Sequence, residues 1–398
     1  MILKGAFVWD GIANKSIRNG GILLDGGHIR AVGPIEEILT ASDAEVLDLQ
    51  DATLLPGLID SHTHLAMDAS MENYLDHMGD DIAEQTLRAT AMMLRDVRSG
   101  VTSCRCLGDK EFIDVACKRA VEEDRVSGPR LLVATRGIRA PHGHGFVGYP
   151  FKGVDEIRSA INENVRRGAD LIKIYISGTL KGNGKLPSYL SREEIKVAIE
   201  EAHATGLPVA SHCVGGEGLD WAVDLGLDTL EHAYHITAEQ IERVATSRTK
   251  LVLTPGAVLA DDRVRNLPEA LVPGHRKERD QMFASMQLCV KSGIPFAVGT
   301  DGMHGHLAED IEFLGQLGAS NLQALRAATI TGASICRIDK ETGSLTAGKS
   351  ADILAVAGDP LQNLNALRNV LAVFQKGQMT YYGRTASFHL QPYAYGAQ

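Results

Sequence analysis

Two histidines, one residue apart, follow a run of apolar residues early in the chain. His62 and His64 stand just beyond Leu58 and Ile59. Because alternate side chains of a strand point the same way, two imidazoles at positions i and i+2 would face one side of a strand end. Neutral imidazoles that converge on one point are ligands for metal ions such as zinc. An isolated pair of this kind is more often the polar end of a strand, so the other ligands must come from later segments.

Later apolar segments also carry or end in side chains that bind metals, and these are Lys173, His212, His232 and Asp301. Each one alone has an ordinary structural explanation, such as a hydrogen-bonded core histidine, a lysine paired with Asp170, or an aspartate in a turn. Buried polar groups without partners are costly, however. Six donor side chains near the corresponding ends of successive strands therefore favour a bound cation.

The segments that would position these side chains alternate between strand-like and helical patterns. Eight predicted strands cover Leu58–His62, Val101–Cys106, Arg130–Thr135, Leu171–Ile176, Pro208–His212, Thr229–His232, Lys250–Thr254 and Phe296–Thr300. Eight strand and helix units in about 290 residues match the size of a TIM-type barrel, whose catalytic residues lie at the C-terminal ends of the strands. A doubly wound open sheet is the alternative, but no glycine-rich phosphate loop follows the first strand.

Both ends of the chain carry short strands separated by tight turns. The tripeptide Asp25-Gly26-Gly27 between two β-rich runs is typical of a hairpin. We therefore predict an α/β fold in which residues 57–345 form a distorted (β/α)8 barrel. Residues 1–56 and 346–398 are predicted to form a small β-sandwich domain.

The composition restricts the classes of partner. A net charge of -10 over 398 residues disfavours a nucleic-acid partner. No apolar run approaches the roughly 18 residues of a membrane span. The six cysteines show no pattern typical of a set of disulfide bonds. The first residues lack the pattern of a signal peptide. We expect a cytoplasmic enzyme that acts on a small molecule or dipeptide, with no membrane or nucleic-acid partner, and a homo-oligomer is the ordinary expectation.

The ordered motifs resemble the amidohydrolase superfamily over nearly the whole chain. They are the Pro56–His64 segment, the apolar-flanked Lys173, then His212, Glu231-His232 and Thr300-Asp301. The set is similar to the binuclear metal subtype of that superfamily. By this resemblance two divalent metals would be bound, the more buried one by His62, His64 and Asp301, and the more exposed one by His212 and His232. Lys173, carboxylated by carbon dioxide, would bridge them as a carbamate.

Physical chemistry agrees with these implied roles. Burial of Lys173 would lower its pKa toward the neutral amine that captures carbon dioxide. The carbamate has two oxygens, which suit cations about 3.5 to 4 Å apart. A hydroxide that bridges the metals would be available at neutral pH as the nucleophile. Asp301 would take its proton and return it to the leaving nitrogen. We expect zinc, although these ligands also accept manganese, cobalt or iron.

Within the superfamily, the chain is similar to the imidazolonepropionase-related group that includes metal-dependent prolidases. The similarity rests on Pro141–Gly145 and Glu231–His235. His142 and Tyr234 are candidates to donate hydrogen bonds to the carbonyl oxygen of the substrate, although each could equally be a loop residue that packs locally. A glycine-rich segment at 177–185 could close over a ligand. Candidates to bind a free carboxylate are Arg105, Arg136 and Arg139.

The first functional hypothesis is a binuclear metal-dependent hydrolase of C–N bonds that cleaves the amide bond of small peptides, with Xaa-Pro dipeptides favoured by the resemblance alone. The second is hydrolysis of a cyclic amide or of a carboxylic or phosphonate ester, since a bridging hydroxide attacks any of these electrophiles. The third is a non-catalytic relative that keeps the barrel. Loss of a ligand would favour the third hypothesis, and no ligand of the set is missing from the sequence.

Overall fold

The computed structural model describes residues 1–42, 44–178 and 186–383. Strands β1 to β18 in this part of the chain are Ile2–Val8, Ile17–Asp25, His28–Pro34, Val46–Asp48, Ala52–Pro56, Leu58–Thr63, Val101–Cys106, Arg130–Val133, Ile138–Arg139, Tyr149–Pro150, Ile172–Tyr175, Val209–Cys213, Thr229–His232, Lys250–Leu253, Phe296–Val298, Ile353–Ala357, Val370–Gln375 and Gln378–Tyr382.

Helices α1 to α13 in the same ranges are Ile35–Ala41, Ile82–Arg98, Ile113–Glu122, Gly153–Arg167, Arg192–Ala204, Glu217–Asp224, Ala238–Ala245, Gly256–Leu259, Asp261–Arg265, Val272–Lys291, Leu307–Gln316, Asn321–Ala327 and Ile330–Ile335. Local sequence explains where several of them begin and end. Ser191 caps α5 through a reciprocal pair of bonds with Glu194, and Gly168 ends α4 with a φ of 95°. None of the helices described is long and apolar enough to cross a membrane.

The two ends of the chain share one eight-stranded sheet. Its order is β18-β17-β16-β5-β1-β2-β3, with β4 paired to β1. The ends meet where β16 pairs antiparallel with β5, so that Ile353 lies opposite Pro56. The predicted hairpin is confirmed, because Asp25 lies opposite His28 and the intervening glycines have φ values of 56° and 81°. The division into two domains at 56/57 and 345/346 stays a prediction, as does a sandwich of two layers.

The middle of the chain forms parallel sheets between helices, so the predicted α/β class is confirmed. One sheet has the order β6-β7-β8 and the other has the order β10-β9-β11-β12-β13-β14-β15. All eight predicted strands are present as β6, β7, β8, β11, β12, β13, β14 and β15. Apolar side chains from each of these eight strands belong to one large buried cluster that the surrounding helices also contact. Sequence periodicity alone therefore located the strands that carry the candidate ligands.

Contacts at two seams bring the ends of the parallel sheets together. The backbone N–H of Asp301, just after β15, donates to the carbonyl of His62 in β6 at 2.8 Å. Gly299 permits this approach, because a Cβ there would overlap the backbone nitrogen of His62. At the other seam, the N–H of Asp170 donates to the carbonyl of Val133 at the end of β8, also at 2.8 Å. These two contacts place β15 beside β6 and β8 beside β11, as in a barrel. Closure of the barrel stays a prediction.

Candidate metal centre

The strand ends bring the six predicted ligands into one buried group. His62 lies in β6, His64 directly after it, Lys173 in β11, His212 in β12, His232 at the end of β13, and Asp301 after β15. The ring of His232 is 4.5 Å from that of His62 and 4.3 Å from that of His212, between centroids. One ligand atom from each of His62, His232 and Asp301 lies within 4.8 Å of the other two. Residues from distant parts of the chain thus converge at one face of the parallel strands.

Four nitrogen atoms in this group are buried and have no hydrogen-bond partner among the residues described, namely Nε2 of His62, His212 and His232, and Nζ of Lys173. The alternative partner for Lys173 is excluded, because Asp170 accepts bonds from Lys118 at 2.7 and 2.8 Å instead. Unpaired buried polar atoms are rare and costly in folded proteins. A bound cation would satisfy the imidazole nitrogens, so the donor set fits a metal centre.

The remaining nitrogens of two histidines have partners that fix their tautomers. His62 Nδ1 lies 2.7 Å from Glu231 Oε2, and His64 Nδ1 lies 2.7 Å from the carbonyl oxygen of Gly108. A carbonyl oxygen accepts only, and the Glu231 carboxylate does so when ionised, so each Nδ1 carries the hydrogen and each Nε2 presents a lone pair. Those Nε2 atoms lie 3.3 and 3.6 Å from Oδ1 of Asp301. Both imidazoles are therefore oriented as metal ligands.

Burial lowers the pKa values of several basic groups of the centre. It lowers the pKa of His64 to about 3 and holds the pKa values of His212 and His232 well below their usual range. Burial also lowers the pKa of Lys173 to about 8, although Glu231 and Asp301 act in the opposite direction. Neutral imidazoles bind metals, and a neutral amine reacts with carbon dioxide. Three imidazoles are thus in the form that binds metals, while the amine of Lys173 is shifted toward its reactive neutral form, which makes up about a tenth of the groups at pH 7.

Asp301 is held by an arginine that the sequence interpretation missed. Arg263 in α9 donates from Nη2 to Asp301 Oδ2 at 2.9 Å and from Nη1 to the carbonyl of Thr300 at 3.0 Å. Burial would raise the pKa of Asp301, but Arg263 and His62 lower it well below its usual range. The backbone of Asp301 has a φ of 51° and that of His232 a φ of 73°, conformations that are uncommon outside glycine and that occur at functional sites. No sequence motif marks Arg263.

The structure places His144, rather than His142, beside the candidate ligands. The ring of His144 stacks on that of His212 with centroids 4.3 Å apart, whereas His142 is exposed. Tyr234 lies close to the centre, 5.2 Å from the ring of His232, and its hydroxyl lies 2.6 Å from that of Thr254. The carbonyl-binding roles of His142 and Tyr234 stay predictions. The repeated histidine of Pro141–Gly145 was the signal that could have identified His144.

The candidate carboxylate-binding arginines have other partners. Arg105 is buried against Glu231, at 2.8 Å. Arg136 pairs with two glutamates, and Arg139 donates to backbone carbonyls of residues 140, 141 and 148. In the glycine-rich segment predicted to close over a ligand, residues 179–185 lie outside the described residues.

A parallel α/β fold with a cluster of histidine, lysine and aspartate side chains at one face of its strands defines a class of candidate metal-dependent hydrolases. The match to known families is more specific. Residues 53–380 match the amidohydrolase family, and the chain belongs to this family. The resemblance inferred from the ligand motifs is thereby confirmed, and the protein is a hydrolase by family.

Individual relatives extend this similarity. Ochratoxinase from Aspergillus niger is 27% identical over 363 residues, which cover 80% of this chain and 73% of the relative. A protein provisionally named as a prolidase from Bifidobacterium longum is 26% identical, with a TM-score of 0.80 over 96% of this chain and 94% of that one. A Xaa-Pro dipeptidase with methionine in its active site has a TM-score of 0.85 at 24% identity, covering 96% and 99% of the two chains. This last similarity establishes the fold alone.

Proposed function

We propose that the protein is a binuclear metal-dependent amidohydrolase that cleaves the amide bond of small peptides, with Xaa-Pro dipeptides as its substrates. The observation that carries the proposal is the convergence of four unpaired buried nitrogens with Asp301 at one face of the parallel strands. The protein from Bifidobacterium longum that is provisionally named as a prolidase, at 26% identity, supports the choice of substrate. We also propose that the parallel strands close into a barrel and that the two ends of the chain form a β-sandwich. The protein is further proposed to be a cytoplasmic homo-oligomer.

In this proposal, His62, His64 and Asp301 would hold one divalent metal, and His212 and His232 would hold a second. Lys173, once carboxylated on Nζ, would supply a further anionic ligand. When bound, two such ions, with zinc as the proposed metal, polarise a substrate carbonyl and activate water at neutral pH. The protein contributes neutral imidazoles whose orientation is fixed before the ions arrive. It also buries the centre, since the side chain of Asp301 is 18% exposed while those of His62 and His64 are 0% and 6% exposed.

The two oxygens of Asp301 are placed for different tasks. Oδ1 faces the imidazoles of His62 and His64, whereas Oδ2 contacts Arg263. Arg263 keeps the carboxylate ionised, which is the form in which Asp301 can accept a proton and return it to the leaving nitrogen. Asp301→Asn removes this acceptor with little change in shape, so we expect kcat to fall about 10²- to 10⁴-fold while the thermal unfolding midpoint stays close to that of the wild type. An unchanged kcat would refute the role.

Two side chains near His212 and His232 are proposed to orient the substrate carbonyl. His144 stacks on His212, and burial lowers the pKa of His144 to about 4. It is therefore neutral at pH 7 and has one N–H to donate. Tyr234 has its hydroxyl 2.6 Å from Thr254 Oγ1 and 3.0 Å from the carbonyl of the same residue. Thr254 thus restricts where the phenol of Tyr234 points.

A substrate panel with zinc-loaded protein tests the proposed activity. It contains Xaa-Pro dipeptides, the same dipeptides with a C-terminal amide, Xaa-Ala dipeptides, a lactam, and carboxylic and phosphonate esters. We expect the highest kcat/KM for free Xaa-Pro dipeptides. The lactam and the esters are included because relatives of this chain are also named ochratoxinase and imidazolonepropionase, not only prolidase. Turnover of the lactam or the esters without any dipeptide would replace the proposal with the second hypothesis, and no turnover by metal-loaded protein would favour a non-catalytic relative.

A further inference from the structure

A buried ion pair lies directly behind His62. The guanidinium of Arg105 contacts both carboxylate oxygens of Glu231, at 2.8 and 2.9 Å from Nη2. Glu231 in turn accepts from His62 Nδ1 at 2.7 Å. The side chains of Glu231 and His62 are 0% exposed and that of Arg105 is 4% exposed. Such a pair is costly to bury, so its position against a candidate metal ligand calls for a specific reason.

The pair holds His62 from two directions. Glu231 fixes the imidazole, while Arg105 Nε donates to the carbonyl of Ser61 at 2.7 Å and so fixes the backbone one residue before His62. Thr229 completes the network, because its hydroxyl accepts from Arg105 at 3.1 Å and donates to Glu231 Oε1 at 2.6 Å. Both the ring and the main chain at this position are therefore tied to one rigid group of hydrogen bonds.

We propose that Glu231 and Arg105 are positioning residues that hold His62 in the tautomer and orientation needed to bind a metal through Nε2. Arg105 then acts from behind the metal centre rather than on a substrate carboxylate. The inference rests on the proposed function, because it assumes that His62 is a metal ligand. It adds two residues that do not touch the metal or the substrate themselves.

The physical basis is the geometry of the acceptor. The Glu231 carboxylate can only accept from Nδ1, so Nε2 is left with its lone pair toward Asp301, 3.3 Å away. Arg105 balances the charge of that carboxylate, which without it would be buried and uncompensated. Removing either partner frees the imidazole to rotate or to change tautomer. Carboxylate partners of metal-binding histidines are worth about 10- to 100-fold in metal affinity.

The test uses cobalt(II) as the probe and the metal-free full-length protein. The dissociation constant and the visible absorption spectrum of bound cobalt are measured for the wild type and for Glu231→Gln, Arg105→Gln and Arg105→Lys. We expect affinity to fall about 10- to 100-fold in the two glutamine variants, with an altered spectrum, and to recover in part in Arg105→Lys. The matched control is Arg136→Gln. The guanidinium of Arg136 also pairs with two glutamates, Glu111 and Glu163, but neither is a partner of a candidate ligand among the described residues, so this variant should bind cobalt like the wild type.

The outcomes separate the two proposals. If the wild type binds no cobalt, the proposed function fails. If the wild type binds cobalt and the glutamine variants bind it with the same affinity and spectrum, only the positioning role is overturned. Should the glutamine variants not fold, Thr229→Val decides the matter, because it removes only the hydroxyl that contacts both partners. We expect a several-fold loss of cobalt affinity for Thr229→Val, and an unchanged affinity and spectrum in this folded variant would overturn the inference.

Discussion

The two halves of the candidate metal centre are held in different ways. In the half formed by His62, His64 and Asp301, each side chain has a polar partner that fixes it, namely Glu231, the carbonyl of Gly108, and Arg263. In the other half, His232 Nδ1 lies 2.8 Å from the hydroxyl of Thr254, a group that can donate or accept, and His212 Nε2 has no hydrogen-bond partner within residues 1–42, 44–178 and 186–383. Its ring is instead stacked on His144 at 4.3 Å and lies 5.8 Å from Tyr175.

This difference has a consequence for metal binding. A hydrogen-bonded imidazole keeps one tautomer and one orientation, so little freedom is lost when it binds a metal. A stacked imidazole keeps the plane of its ring but can exchange the proton between its nitrogens. We therefore expect the metal held by His62 and His64 to bind more tightly, and the metal held by His212 and His232 to exchange first. Four experiments sharpen this account of the centre.

The largest effect is expected from Lys173→Ala, which removes the side chain proposed to connect the two halves. Lys173 is fully buried, and its Nζ has no hydrogen-bond partner among the described residues. Without it we expect loss of turnover and binding of at most one metal per chain. Metal analysis by mass spectrometry and kcat on a Xaa-Pro dipeptide check this. Full activity of the variant without an added short carboxylate would count against the carbamate.

Replacing one ligand from each half tests the comparison itself. His62→Ala removes the ligand that Glu231 and Arg105 support, and we expect both metals to be lost. His212→Ala removes the stacked ligand, and we expect the tighter metal to remain at about one equivalent per chain. Metal content after dialysis distinguishes the variants, with His142→Ala as an exposed histidine control. A His212→Ala variant that loses metal as completely as His62→Ala would break the comparison.

The pH dependence of carbamate formation should follow the lowered pKa of Lys173. Burial lowers this pKa from 10.5 to about 8. The neutral amine is the reactive form, so the neutral fraction rises with pH, from about a tenth at pH 7 to about nine-tenths at pH 9. In metal-free protein at constant dissolved carbon dioxide, the rate of carbamate formation should rise about ninefold over this range. Carbon-13 NMR measures it, with Lys173→Ala as the control, and a rate that rises only near pH 10.5 would contradict the shift.

The smallest effect is expected from the histidine that stacks on His212. His144→Ala removes one hydrogen-bond donor proposed for the substrate carbonyl, which is worth about 1 kcal/mol and hence about a 5- to 10-fold loss in kcat/KM. His142→Ala should leave kcat/KM unchanged, because that side chain is exposed. Steady-state kinetics on one dipeptide compares the two variants. A larger loss of kcat/KM for His142→Ala than for His144→Ala would instead support the carbonyl-binding role of His142.

Sequence predicted the strands and the candidate ligands because both depend on local patterns. Apolar runs of strand length located all eight parallel strands, and polar residues at their ends identified the donors that the structure brings together. The roles of Arg105 and Arg263 depend on contacts between distant segments. Arg105 meets Glu231, 126 positions away, and Arg263 meets Asp301, 38 positions away. Neither contact follows from spacing or hydrophobic period.

For a related reason the sequence pointed to His142, whose role stays a prediction, and gave no sign that His144 stacks on His212. The two residues are equivalent in the sequence, since both precede a glycine in the same short segment. The path of the loop after β8 decides which of them faces the centre. That path runs close to Tyr175, because a Cβ at Gly137, Gly145 or Gly148 would overlap the Tyr175 ring.

A metal titration tests the proposed binuclear centre most directly. Metal-free protein is titrated with zinc in the presence of bicarbonate, while bound metal and Xaa-Pro hydrolysis are measured in the same samples. We expect both quantities to reach a plateau at two equivalents per chain, the first equivalent binding more tightly than the second, with activity dependent on bicarbonate. Binding of less than one equivalent, or hydrolysis that does not change as zinc is added, would contradict the binuclear centre.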